Sequence, residues 1–133
     1  MTRRRPAATI GRMTETLGAE FAHALAAKDF GRVEDLLHPE IDFRGLTPRR
    51  GWEASDAGAV ISGVLRHWFE DTDVIEALVW LECDAFADRE RVGYRFSVRN
   101  PKGRFLVEQQ AYLEARDGRI GWMRVVCSGF RPV

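Results

Sequence analysis

Residues 105–130, FLVEQQAYLEARDGRIGWMRVVCSGF, constrain this chain's fold more than any other stretch. Two runs rich in β-branched and aromatic residues flank Ala115-Arg116-Asp117-Gly118. Asp-Gly between alternating hydrophobic runs predicts a tight hairpin, because Gly accepts the positive φ that the turn requires. In the first arm, Glu108, Gln109 and Gln110 interrupt the apolar pattern. Successive strand residues point to opposite faces, so Gln109 takes one side of the sheet and Glu108 with Gln110 the other. Whichever face is buried takes polar groups with it, and buried amides and carboxylates need partners. These residues therefore mark either a structural network or a binding pocket.

Before this hairpin the periodicity is first helical and then alternating. Met13, Leu17, Phe21, Ala24 and Leu25 recur at helical spacing and predict a helix over residues 14–27, with Thr14 as N-cap. Asp29 caps a second helix over 30–37, which the His38-Pro39 pair ends because a residue before proline avoids the α region. Residues 41–44 predict a short strand. Residues 46–54, LTPRRGWEA, predict a loop in which Trp52 packs on its own domain or covers a pocket mouth. Ser55 caps a third helix whose apolar stripe runs Val60, Ile61, Val64, Leu65, Trp68 and Phe69. The acidic run 70–73 predicts a solvated turn. Strands follow over 74–86 and 91–99, the second with Val92, Tyr94, Phe96 and Val98 on one side. Three helices followed by antiparallel strands predict an α+β fold, helices on one face of a curved sheet.

At 133 residues, 20 basic and 20 acidic side chains give a formal charge of zero. That balance lacks the basic footprint of a nucleic-acid binder. No apolar run reaches the ~18 residues of a membrane-spanning helix. Cys83 and Cys127 lie far apart in apolar contexts and predict free thiols in a reducing, cytoplasmic setting. The histidines at 23, 38 and 67 lack zinc-site spacing, and no phosphate-binding loop or nucleophile elbow occurs, so neither metal nor cofactor is expected. Residues 1–12 are expected to form a disordered tail, and 13–133 a single domain.

Two segments, AAKDFGRVEDLLHPEIDFRG and EQQAYLEARDGRIGWMRVV, resemble the nuclear transport factor 2-like superfamily, and within it the SnoaL-like branch of polyketide cyclases and ketosteroid isomerases. The resemblance covers about residues 13–131. It implies a cone: a curved antiparallel sheet around three helices with a deep apolar pocket, in a homodimer that pairs through the outer sheet face. The position of the isomerase base holds Arg44, that of its tyrosine Phe21, and that of its protonated aspartate Gln110. Steroid isomerase chemistry is therefore not implied. The same alignment turns Glu108, Gln110, Met123, Val125 and Cys127 toward the pocket and Gln109, Trp122 and Arg124 outward; a one-residue slip swaps the sets.

Two functional readings remain open. In the first, Glu108 or Asp42 acts as acid/base on an apolar metabolite. Gln110 and Tyr94 supply hydrogen bonds, and Trp52, Trp68, Met123 and Cys127 supply walls. In the second, the chain is a non-catalytic ligand-binding or structural dimeric module, and Glu108 pairs with an arginine such as Arg95, Arg99 or Arg124.

Overall fold

The computed structural model describes residues 16–133; the expected tail and the Thr14 cap lie outside the described residues. Helix α1, Leu17–Ala26, starts at Thr16, whose side-chain oxygen accepts a hydrogen bond from the Ala19 N–H and satisfies one otherwise free donor of the first turn. Its apolar face buries Phe21, Ala22, Ala24 and Leu25. Helix α2, Phe30–Leu36, is capped by Asp29, as its sequence predicts.

The predicted short strand and following loop form one hairpin. Strand β1, Leu37–Thr47, runs without a break into a two-residue turn and β2, Arg50–Ala54. Trp52 therefore sits on a strand and not in a loop, with its indole N–H donating to Thr47 Oγ1 at 2.9 Å. His38 belongs to β1 and lies 3.3 Å from Asp117 instead of closing a helix. Pro39 has no N–H to give, and pairing with the neighbouring strand shifts register between Leu37 and Asp42.

The third helix, α3, covers residues 57–68. Its N-cap is Asp56, which accepts from Ala59 N–H at 2.7 Å, and not the expected Ser55. Its middle, Ile61–Leu65, is π-helical between α-helical turns at Ala57–Val60 and Arg66–Trp68. The extra residue of a π turn rotates everything beyond it, and such turns are frequent at functional sites. Here it delivers Trp68 onto β1 at Gly45, where a Cβ would come within 2.6 Å of the indole ring. Gly45 is thus required by close approach. The acidic run after α3 is only partly solvated: Asp73 is buried and accepts from Glu70 N–H and the Asn100 amide.

The remaining strands are β3, Val74–Phe86; β4, Arg89–Asn100; β5, Gly103–Arg116; β6, Arg119–Cys127; and β7, Arg131–Pro132. The β5–β6 turn is Asp117-Gly118, both at positive φ (54° and 77°), as the hairpin signal requires. Among the described residues the sheet has seven strands in the order β2-β1-β6-β5-β4-β3, with β7 beside β5. Only β1 and β6 pair in parallel. The curved sheet wraps its inner face around the helices. Phe21, Tyr94, Phe96 and Phe69 form a chain of ring contacts with centroids 5.0–6.4 Å apart. Aromatic packing of this kind builds the core between the sheet and the helices.

Candidate ligand-binding site

The inner face carries one row of polar groups. Registration places Tyr94 beside Gln109, and Gln109 beside Cys127, across β4, β5 and β6. Tyr94 and Gln109 are buried, at 0% and 1% exposure. The Tyr94 hydroxyl donates to Gln109 Oε1 at 2.5 Å. That bond fixes the amide so that its Nε2 points elsewhere, and Nε2 has no hydrogen-bond partner. Burial, and then the neighbouring Cys127, push the Tyr94 hydroxyl well above the usual tyrosine range, so it stays a neutral donor. A second buried donor, Trp68 Nε1, is also unpartnered. Native interiors satisfy nearly all buried polar groups, so two free donors on one inner surface ask for an explanation.

The strand alternation assigns Glu108 and Gln110 to the outer face, opposite to the expected placement. Val107, Gln109, Ala111 and Leu113 are buried, whereas Glu108 and Gln110 are only half-buried. Glu108 accepts from Arg95 Nε at 2.6 Å and from Gln110 Nε2 at 2.9 Å. The Arg95 guanidinium, and then the Gln110 amide, hold its carboxyl below the usual range. A paired, ionised, outward carboxylate is poorly placed to move a proton inside the cone. Asp42 is also exposed and outward, 3.2 Å from Arg124, while Phe43 points in. Met123 and Cys127 do lie on the inner face, beside Leu113 and Gln109. Trp68 is buried against Phe43, and Trp52 is half-buried between Trp68 and His67.

The carboxylate that does enter the inner face is Glu90, on β4. It accepts from the Gly18 N–H at 2.7 Å and so anchors the start of α1. Burial raises its pKa, partly offset by the hydrogen bonds from Gly18 and Thr16. Its bonds are structural, and it lies two residue pairs along β4 from Tyr94. Among the described residues no group of three or more His, Cys, Asp and Glu side chains is arranged to hold a metal ion.

No family model matches the chain, and no curated protein matches it. Solved structures match well. A proposed isomerase from Bacillus subtilis superposes with a TM-score of 0.68 at 12% identity, covering 84% of each chain. An LEH-like epoxide hydrolase from M. tuberculosis gives 0.63 at 16% identity, covering 84% of this chain and 80% of the other. A Catenulispora acidiphila protein with a ketosteroid isomerase-like fold, solved with trimethylamine, gives 0.62 at 14% identity, covering 87% and 88%. This chain has the nuclear transport factor 2-like fold.

Within that fold, three surface clefts follow the β1–β2 edge of the cone. One of about 420 Å³ is acidic, lined by Glu40, Asp42 and Glu53 with Arg44. The next, about 440 Å³, lies beside Trp52, Gly45 and Val125. The third, about 530 Å³, lies at the end of the hairpin and reaches Cys127, the lateral neighbour of Gln109. No helix among the described residues is long and apolar enough to cross a membrane.

Proposed function

We propose that this protein binds an apolar small molecule bearing a hydrogen-bond acceptor, in the manner of SnoaL-like proteins, without using Glu108 or Asp42 as acid or base. The observation that carries the reading is the buried Gln109 amide, held by Tyr94 with its Nε2 unpartnered. A ligand carbonyl or ether oxygen admitted beside Cys127 would accept that N–H. Recovering the bond to an otherwise orphaned buried donor is worth roughly 1–3 kcal/mol. Trp68 Nε1 is available for a second acceptor. A solved neighbour of the same fold holds trimethylamine, which supports small-molecule binding as a use of this architecture.

Cyclase- or isomerase-type chemistry is the second reading. The names of the Bacillus and M. tuberculosis neighbours favour it, and Gln109 Nε2, held in place by Tyr94, would donate a hydrogen bond to a developing oxyanion. A homodimer through the outer face fits both readings. Trp122 lies there between the Arg89 and Arg124 guanidinia, 4.1 and 4.4 Å from its ring, and Tyr112 is exposed nearby. Aromatic and arginine side chains are enriched at such interfaces. Cys83 and Cys127 are both free thiols, which suits the cytoplasm.

The test compares 2-acetylnaphthalene with 2-isopropenylnaphthalene, in which a methylene group replaces the carbonyl oxygen at nearly the same shape. Calorimetric titration is expected to show the ketone binding roughly tenfold tighter, a preference lost in Gln109→Leu. Equal affinities in the unmodified protein would defeat the assignment of Gln109.

A further inference from the structure

The cleft at the end of the β1–β2 hairpin combines apolar walls with two arginines. Its walls are apolar: Leu46 and Val126 from the outer side, Pro48 from the turn, and Cys127 from the inner side. The charged side chains lining it are Arg49 and Arg50, and no carboxylate lines it. On the neighbouring sheet surface Arg91, Arg95 and Arg99 are each ion-paired. Among the described residues neither Arg49 nor Arg50 has an acidic partner.

Local structure places both residues at the cleft. Arg50 lies over the Trp52 ring, 3.6 Å from its centroid, and its carbonyl accepts from Thr47 Oγ1 at 3.3 Å. Arg49 occupies the second position of the two-residue turn, after Pro48, at a φ of 72°. Proline followed by a positive-φ residue is the order of a type II turn, where glycine is the usual occupant. A side chain there is disfavoured by its backbone, and such residues concentrate at ligand clamps.

We infer that this cleft binds the anionic head group of an amphipathic small molecule, a carboxylate on an apolar body. Arg49 and Arg50 receive the carboxylate, and the body lies on Leu46, Val126 and Cys127. Two unpaired guanidinia supply charge-assisted hydrogen bonds in the geometry a carboxylate matches. The inference rests on the reading of the protein as a binder of apolar small molecules and adds the charge of the ligand and where that charge sits.

The experiment titrates the full chain by calorimetry at low ionic strength with decanoate and decyltrimethylammonium below their micelle concentrations and with 1-decanol below its solubility limit. Decanoate is expected to bind roughly tenfold tighter than decanol and the cation weakest, a preference that added salt shrinks. The double variant Arg49→Gln/Arg50→Gln is expected to bind decanoate and decanol equally while keeping its affinity for decanol. Both residues are exposed, so the variant folds; an unchanged far-UV spectrum and Tm check this. If decanol matches decanoate in the unmodified protein, the anionic site is overturned while apolar binding stands. If neither ligand binds, both readings fall. A decanoate preference that survives the double variant places the anion elsewhere and overturns the assignment to Arg49 and Arg50.

Discussion

The two faces of β5 handle polar residues by opposite means. On the outer face Glu108 and Gln110 share a network with Arg95 and Arg91, open to water. On the inner face Gln109, between them in sequence, has one strong partner in Tyr94 and one donor with none. Water rescues any imperfect pairing outside, so outer polar groups contribute little to stability wherever they point. Inside, nothing replaces a missing partner, so each polar atom counts. The contrast teaches that a conspicuous carboxylate in a strand is a weaker signal of chemistry than an inconspicuous amide on the buried parity.

The contrast can be broken most severely by truncation. Phe96→Ala on the inner face is expected to cost about 3–5 kcal/mol, and its neighbour Arg95→Ala on the outer face about 1 kcal/mol or less, by urea denaturation. Similar losses for the two would mean that the inner face is not the core. A double-mutant cycle sharpens the polar side of the comparison. Tyr94→Phe and Gln109→Leu singly are each expected to cost about 1–3 kcal/mol, because each strands a buried group, whereas the double variant should lie close to the unmodified protein. Additive losses would show that the two side chains do not act as a pair.

The smallest effects are the pH slopes of two glutamates on opposite faces. Burial raises the Glu90 pKa above the ordinary 4.5, so its stability contribution is full below that value and lost as pH rises through the folded-state value. Arg95 lowers that of Glu108, whose contribution is full above 4.5 and lost as pH falls through the folded-state value. Glu90→Gln should therefore steepen the rise of stability with pH between 3 and 7, and Glu108→Gln should flatten it. Denaturation midpoints across that range measure both slopes, and slopes of the same sign would refute the facial assignment.

Much of this architecture was legible in the chain. The Asp117-Gly118 turn, the Asp29 cap, the stripe from Val60 to Phe69 and the alternation around Tyr94 are local signals, and each formed where local physics put it. The facing of β5 was also legible but was read wrongly: Phe105, Val107, Ala111 and Leu113 share the parity of Gln109, while Arg104, Glu108, Tyr112 and Glu114 share that of Gln110. The hairpin β1–β2 was hidden because Pro48, Gly51 and three charges mimic a loop, and only pairing with β6 makes it sheet. The free donors of Gln109 and Trp68 were not legible at all. A missing partner is a property of three-dimensional surroundings, and the π turn that aims Trp68 leaves no periodic trace.

The parallel pairing of β1 with β6 has a consequence for how the chain is made. Asp42 and Arg124, 82 residues apart, meet on neighbouring strands near the middle of the sheet. A nascent chain emerging from the ribosome carries β1 and β2 for most of synthesis with one edge unclaimed. The cone cannot close until the final hairpin is available, and non-local closure of this kind slows folding. The vulnerable interval therefore runs from completion of the β1–β2 hairpin until β6 is made, while the strand carrying Phe43 and Ile41 has one edge unpaired and open to self-association.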